Sequence, residues 1–156
     1  MENIAGKTNY KILKVSSSAF NNNHVIPGKY TCDGENVNPP LSIEQIPANA
    51  KSLAIVVDDP DAPAGTWVHW LMWNIPLTYH IKENEASGIQ GMNDFSRQNY
   101  GGPCPPNGTH RYFFKIYVLD NLLRLPVTSR KEQLEKVMNG HIIAYGELIG
   151  LYSRRK

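Results

Sequence analysis

Two apolar runs constrain the fold of this chain more than any other feature. Residues 53–57 read LAIVV and residues 112–119 read YFFKIYVL, and both are rich in β-branched or aromatic residues. Runs this apolar are typical of strands covered on both faces, because a strand with one face in water alternates polar and apolar residues. The sequence therefore predicts central strands of a sheet that is buried on each side.

Further strand-like segments are separated by loops rich in proline, glycine, asparagine and aspartate. The predicted strands cover residues 10–15, 41–46, 52–58, 67–75, 110–119 and 142–151. The long loops favour a mostly β sandwich over a meander of tight hairpins. One short helix is predicted near the C-terminus, because Ser129 and Glu132 have the spacing of a capping box before an amphipathic run. Residues 84–99 show no period and are predicted to form a long surface loop.

The composition is that of an ordinary globular chain, with 41% apolar and 19% charged residues, so one domain spanning residues 1–156 is expected. A net charge of +2 is too small to indicate nucleic-acid binding, and no stretch is apolar enough for a membrane span. The N-terminus lacks an apolar core of signal-peptide type, so the cytoplasm is the expected location. For the same reason Cys32 and Cys104 are expected to be free thiols. The basic run 154–156 is expected to be a solubilising tail.

Two segments join a loop rich in proline and glycine to a strand. They are residues 58–70, DDPDAPAGTWVHW, and residues 100–112, YGGPCPPNGTHRY. Strand alternation would place one set of side chains on a common face of each strand: Trp67, His69, Leu71 and Trp73, and likewise His110, Tyr112, Phe114 and Ile116. A lone histidine in a strand is more often a core residue, but here two histidines lie at loop ends above apolar residues. The sequence predicts a pocket with an apolar base and a polar mouth.

The residues between the histidines suggest how such a pocket would be built. Asp59 is expected to pair with a histidine, which would fix the tautomer of the ring and favour its charged form. Asp61 either starts a turn or faces the pocket, whereas Asp58 is interpreted as a turn residue. Residues 101–106, GGPCPP, are expected to form a stiff wall whose glycines let backbone amides approach a ligand. The Ala62–Pro63 bond is predicted to be cis, because a sharp turn there would project both aspartates inward.

These motifs, in this order, closely resemble the phosphatidylethanolamine-binding protein family, which includes Raf kinase inhibitor protein and the plant flowering-time regulators. The resemblance is strongest to its compact bacterial and archaeal branch. It covers almost the whole chain: Pro27, YTCDGENVNPPLS at 30–42, DDPDAP, WVHW, YGGPCPPNGTHRY and GHIIAYGELIGLY at 140–152. It implies a β-sandwich with Greek-key-type sheets and a small anion-binding pocket for phosphoryl head groups. The residues that match the family's pocket are Asp59, Asp61, Ala62, Trp67, His69, Gly102, Pro105, His110 and Tyr112.

The resemblance implies a non-catalytic binding protein for a small phosphorylated or anionic ligand. No cofactor and no metal are predicted, and a kinase-like protein partner follows by family analogy alone. The chain ends soon after Tyr152, without the longer C-terminal helical segment that borders the pocket in eukaryotic members. A homodimer is therefore expected, with Leu148, Ile149 and Leu151 as candidates for the apolar surface left open.

Two enzymatic alternatives stay open on the residues alone. Asp59 with His69 or His110 resembles two-thirds of a hydrolytic triad, and Cys104 is the nearest candidate nucleophile. No serine lies in a nucleophile-elbow sequence, and Cys104 lies between two prolines rather than at an activating helix start. A metal site formed by Asp59, Asp61, His69 and His110 has suitable ligand types, but the sequence spacing is not typical of a metal site.

Overall fold

The computed structural model describes residues 10–154 of the chain. Residues 1–9 lie outside the described residues, and they make up most of the N-terminal stretch in which no signal peptide was found. Arg155 and Lys156 of the expected tail also lie outside them. Arg154 is described, and its Nε and Nη2 donate to Asp33 Oδ1 at 3.1 and 2.9 Å. Arg154 is therefore bound to the body of the protein and does not form a free tail. No helix within residues 10–154 is long and apolar enough to cross a membrane.

Apart from a 3₁₀-helix at Gly28–Tyr30, the regular structure of the described residues consists of strands and one α-helix. In chain order these are β1 (Lys11–Ile12), β2 (Lys14–Ser16), β3 (His24–Val25), β4 (Leu41–Glu44), β5 (Ser52–Asp59), β6 (Trp67–Ile75), β7 (His80–Ile81), β8 (Ile89–Gln90), β9 (His110–Leu119), α1 (Lys131–Met138) and β10 (Ile142–Tyr152). Every predicted strand region contains a strand, although residues 10–15 are divided between β1 and β2. The strands β3, β7 and β8 were missed, because two residues are too few to show a period.

The larger of two sheets has the strand order β1-β10-β9-β5-β6-β8, and β3 also pairs with β10. β5 lies between β6 and β9, antiparallel to both, and all of its residues are buried. The prediction of a central strand covered on both faces is therefore confirmed. The smaller sheet has the order β2-β4-β7.

Apolar side chains cover both faces of the large sheet. One cluster joins it to the small sheet and includes Ile43 of β4, Trp70 of β6 and Phe114 of β9. A second cluster on the opposite face packs against α1 through Leu134 and Met138. The protein is a β-sandwich with one helix on its outer face, as the sequence predicted.

The helix α1 begins one residue later than its predicted capping box requires. Arg130 precedes the first helical residue, and its backbone N–H donates to Gln133 Oε1 at 2.8 Å. Ser129 instead closes a turn, in which its N–H donates to the Pro126 carbonyl at 2.9 Å. The predicted Ser129–Glu132 box is therefore wrong, because the preceding proline-led turn already contains Ser129.

A buried charged cluster connects α1 to the large sheet. Asp58 is 1% exposed, and its Oδ2 accepts hydrogen bonds from Lys115 Nζ at 3.1 Å and Lys131 Nζ at 2.8 Å. The turn predicted for Asp58 is wrong, because β5 extends to Asp59 and turns the Asp58 carboxylate towards two ammonium groups. The cluster fixes the start of the helix against β5, one residue before Asp59.

Replacing Asp58 with Asn should lower the free energy of unfolding by about 3–5 kcal/mol, because the buried Lys115 ammonium would lose its full counter-charge. Chemical denaturation measures this loss. The matched control is Asp120→Asn. Asp120 pairs with His141, and both side chains are well exposed, at 38% and 43%. This control should lose less than about 1 kcal/mol. Equal losses in the two variants would contradict the role given to Asp58.

Candidate functional site

A cavity of about 210 Å³ opens where the end of β5 meets the starts of β6 and β9. The predicted site residues that line it are Asp59, Ala62, Trp67, His69, Pro105, His110 and Tyr112. Pro63, Phe95, Cys104 and Pro106 complete the lining. Asp61 and Gly102 lie outside it. The two motif segments thus meet around one cavity.

Asp59 and His110 form a buried pair at the side of the cavity. His110 Nδ1 lies 2.7 Å from Asp59 Oδ2, and the two residues are 7% and 3% exposed. Asp59 Oδ1 accepts a second hydrogen bond, of 2.7 Å, from the backbone N–H of Asp61. A carboxylate can only accept, so His110 carries its hydrogen on Nδ1 and leaves Nε2 for the cavity. Asp59 therefore orients His110, and the histidine partner predicted for Asp59 is His110.

His69 is anchored in the same way, but to a backbone carbonyl. Its Nδ1 donates to the Gly101 carbonyl at 2.7 Å, while the Gly101 N–H donates to the His69 carbonyl at 3.0 Å. Burial lowers the pKa of His69, and the hydrogen bond to Gly101 opposes this only in part. The ring is therefore neutral near pH 7, with a hydrogen on Nδ1 and a lone pair on Nε2.

A β-bulge directs His69 into the cavity. Trp70 pairs with Val57, but Val68 pairs with Asp58, so His69 is the extra residue on β6. Beyond the bulge, Leu71 and Trp73 pack on the α1 side of the sheet rather than on the cavity side. The predicted common face of Trp67, His69, Leu71 and Trp73 is therefore wrong. On β9, which has no such bulge against β5, Tyr112, Phe114 and Ile116 do share a face.

Tyr112 forms the floor between the two histidines. Its ring stacks on His110 at 6.4 Å between centroids and meets His69 edge-on at 5.3 Å. Its hydroxyl is buried without a partner of hydrogen-bond geometry among the described residues. Burial, and then the nearby Asp59 carboxylate, raise the pKa of Tyr112 well above its ordinary value. The hydroxyl therefore stays protonated beside Asp59.

Asp61 faces away from the cavity, because Arg111 binds it. Arg111 Nε and Nη2 donate to the two carboxylate oxygens at 2.9 Å each, and the backbone N–H of Arg111 donates as well. The Arg111 guanidinium lowers the pKa of Asp61. The placement of Asp61 in the cavity is therefore corrected. Its charge is matched by Arg111 outside the cavity.

The wall 101–106 is present, but Gly102 has a different role from the one predicted. Its N–H donates to Asn36 Oδ1 at 2.8 Å, on the side away from the cavity lining. A Cβ at this position would collide with the Tyr30 carbonyl oxygen and the Thr31 Cα. Glycine is needed here so that the wall can pack closely against residues 30–36, and its amide is not free for a ligand.

Cys32 and Cys104 form a disulfide, so the prediction of free thiols is wrong. Their Cα atoms are 5.4 Å apart although the residues are 72 positions apart in the chain, an approach that the sequence alone does not reveal. The bond ties the cavity wall to the loop around Cys32, where the Cys32 N–H also donates to the Pro103 carbonyl at 3.1 Å. In this state Cys104 is not available as a thiol nucleophile.

The structure corrects one further expectation and does not support the metal alternative. The described residues contain no cis peptide bond, so Ala62–Pro63 is trans, and the turn is made instead by the hydrogen bond from the Asp61 N–H to Asp59. Within the described part of the chain, no three His, Cys, Asp or Glu side chains are grouped as a metal site needs. The metal alternative needed Asp61 as a ligand beside Asp59, His69 and His110, but the Asp61 carboxylate is bound by Arg111 outside the cavity.

Phe95 lines the cavity but was missed, because residues 84–99 show no period. Its ring packs edge-on against Trp67 at 5.5 Å and against His69 at 5.3 Å. Asn93, which is fully buried, accepts the Phe95 N–H at 2.9 Å and donates to the His69 carbonyl at 3.2 Å. This part of the predicted surface loop is therefore tied to β6. A single aromatic residue after Asn-Asp in a polar loop was the available signal.

A sequence model described as phosphatidylethanolamine-binding protein matches residues 16–153. The chain belongs to the phosphatidylethanolamine-binding protein family. A UPF0098 protein from Pyrococcus abyssi is 54% identical over 156 residues, covering 93% of this chain and 87% of the relative. The family membership inferred from the motifs is thus confirmed, and it makes this chain one of a family of binding proteins.

Solved structures of the phosphatidylethanolamine-binding protein family have the same fold. A homologue from Chlamydia trachomatis superimposes with a TM-score of 0.89 at 39% identity, covering 95% of this chain and all of the other. E. coli YbcL, described as a member of the mammalian family, gives a TM-score of 0.85 at 27% identity. That comparison covers 92% of this chain and 99% of YbcL.

Removing the disulfide with the double substitution Cys32→Ser and Cys104→Ser should lower the free energy of unfolding by about 3–4 kcal/mol, because the bond closes a long loop in the unfolded chain. Denaturation without a reductant measures this loss. The control is the same measurement with dithiothreitol, which should destabilise the wild-type protein and leave the variant unchanged. A wild-type protein that does not respond to the reductant would contradict a stabilising disulfide.

Proposed function

We propose that this protein is a non-catalytic binding protein whose cavity takes a small phosphate-type anion. The observation that carries the proposal is the matched orientation of two histidines. Each has Nδ1 bonded to a fixed acceptor, Asp59 or Gly101, and each leaves Nε2 for the cavity. A charged His110 can donate from Nε2 to an oxygen of a tetrahedral anion, and His69 Nε2 can accept from a hydroxyl of the same anion.

The charges around the cavity favour an anion of low charge. Asp59 is occupied by His110 and by the Asp61 N–H, and Asp61 is neutralised by Arg111. A cationic His110 would have the Asp59 carboxylate as its counter-charge and could donate from Nε2 to the anion. A charge-assisted hydrogen bond of this kind contributes about 1.5–3 kcal/mol. A few such bonds support a weak and selective site.

The mouth of the cavity is aromatic and suits an organic group attached to the anion. Trp67 and Phe95 are 37% and 39% exposed and contact each other edge to face. Half-exposed rings at a rim offer apolar surface without requiring a fixed partner. A phosphate ester could therefore place its oxygens near the histidines and its organic part against this rim, in keeping with the family's name.

The other functional predictions have less support. The hydrolytic alternative needs a free Cys104, which the disulfide removes. A kinase-like partner still rests on the family alone. For the predicted homodimer, Leu148 is only 2% exposed and lies in the apolar cluster between the sheets, so it cannot form a contact surface. Ile149 and Leu151 are half-buried on β10 and stay candidates.

Replacing His110 with Ala should weaken the binding of inorganic phosphate about ten-fold or more, because the donor on the cavity side is lost. Isothermal titration calorimetry measures the affinity. The matched control is His141→Ala, since His141 also pairs through Nδ1 with an aspartate, at 2.8 Å, but does not line the cavity. Equal weakening in both variants, or none in either, would contradict the proposed site.

The affinity for phosphate should be higher at mildly acidic than at mildly alkaline pH. Burial lowers the pKa of His69, so this ring adds no positive charge near neutral pH. Inorganic phosphate is mainly a monoanion at mildly acidic pH and a dianion at mildly alkaline pH, and the described lining contains no lysine or arginine to match the second negative charge. Calorimetric titrations at the two pH values test this. Equal affinities would contradict a site that favours an anion of low charge.

A further inference from the structure

We infer that the cavity selects an anion that carries an acidic proton, such as a phosphate monoester in its monoanionic form, over a fully deprotonated anion of the same shape. This rests on the proposed anion site and adds which protonation state is bound. The two histidines supply different hydrogen-bonding groups to the cavity. One is fixed as an acceptor, and the other can donate.

His69 is the acceptor, and the surrounding backbone makes it so. A backbone carbonyl has no hydrogen to give, so the 2.7 Å contact with Gly101 requires the hydrogen of His69 to be on Nδ1. The Gly101 N–H and the Asn93 amide both donate to the carbonyl of His69, at 3.0 and 3.2 Å, and keep this stretch of chain in place. His69 is 4% exposed, so a second proton on the ring would place a charge in a poorly solvated position.

The groups that face His69 give a second proton little support. They are His110 and Tyr112 from β9, Phe95 from its loop, the backbone of Gly101 and Gly102, and Asp59 from the end of β5. Asp59 already accepts from His110 and from the Asp61 N–H, and Asp58, on the other face of β5, is bound by Lys115 and Lys131. These acceptors and carboxylates favour a charged ring, but burial outweighs them and lowers the pKa of His69. His110, in contrast, has the Asp59 carboxylate at 2.7 Å and can be a cation. The cavity therefore offers one lone pair, on His69, and one charge-assisted donor, on His110.

The net charge of the lining points the same way. None of the described residues that line the cavity is a lysine or an arginine. Arg111, which follows His110 in the sequence, is bound to Asp61 outside the lining. A cationic His110 is already offset by the Asp59 carboxylate in the same lining, so every negative charge on the anion is left without a full counter-charge and a dianion is disfavoured more than a monoanion. A P–OH group could also donate to His69 Nε2, while a bare oxygen would face that lone pair and be repelled.

The test compares two anions that differ in this proton. Methylphosphonate and methanesulfonate have similar shapes and each carries one negative charge at about pH 6, but only methylphosphonate has a hydroxyl. Calorimetry on the wild-type protein should give about ten-fold or tighter binding of methylphosphonate. Equal affinities would overturn the inference and leave the anion site standing. If neither methylphosphonate nor phosphate binds, the proposed function fails and the inference fails with it.

A substitution at His69 tests the assignment of the acceptor. Gln at this position has an amide that can rotate to donate, so His69→Gln should bring the two affinities close together. His110→Gln, the matched control, should weaken both anions and preserve the preference. Should His69→Gln fail to fold, nitrogen-15 NMR of the wild-type histidine rings with methylphosphonate at about pH 6 gives the answer. An unprotonated His69 Nε2 is expected, and a protonated one would overturn the inference.

Discussion

The burial of β5 along its whole length is the constraint on which both faces of this protein depend. A charged residue in such a strand cannot reach water and has to find its partner within the protein. Asp58 and Asp59 are successive residues, so alternation turns them to opposite faces of the sheet. Asp58 meets Lys115 and Lys131 beneath α1, and Asp59 meets His110 beside the cavity. One strand end thus fixes the helix and the candidate site together.

Hydrogen bonds that serve the fold also decide the chemistry of the cavity. The carbonyl of Gly101 and the carboxylate of Asp59 each take the Nδ1 hydrogen of a histidine, and so determine which nitrogen faces a ligand. Their difference in charge then separates the two rings. Burial lowers the pKa of His69, and the neutral carbonyl of Gly101 supplies no counter-charge for a second proton. His110, in contrast, has the Asp59 carboxylate beside it as a counter-charge. Two histidines near the starts of their strands therefore differ in what they offer a ligand: His69 can accept a hydrogen bond, and a charged His110 can donate one.

How much of this could be predicted depended on the range of the interaction. The central strands could be predicted because their signal is local, and a histidine partner for Asp59 because Asp59 and both histidines stand near strand ends in specific motifs. Which histidine it would be, His110, depends on the pairing of β5 with β9. The bulge at His69 could not, since it is a property of the pairing between β5 and β6. The disulfide needs residues 32 and 104 to meet, and Phe95 needs a loop without a period to fold back over β6. Arg111, by contrast, lay next to His110 in the motif and was overlooked as the partner of Asp61.

The wall 101–106 shows why these long-range contacts matter for the site. The wall anchors His69 through the Gly101 carbonyl, and it is attached to residues 30–36 by the disulfide, by Asn36 and by the Cys32 N–H. A wall without this attachment could move and take the carbonyl of Gly101 with it. His69 would then be free to donate from either nitrogen. Because the wall is attached to residues 30–36, the Gly101 carbonyl stays in place and holds His69 in a single tautomer before any ligand binds. The entropy lost in ordering this side chain is then lost on folding and does not weaken ligand binding.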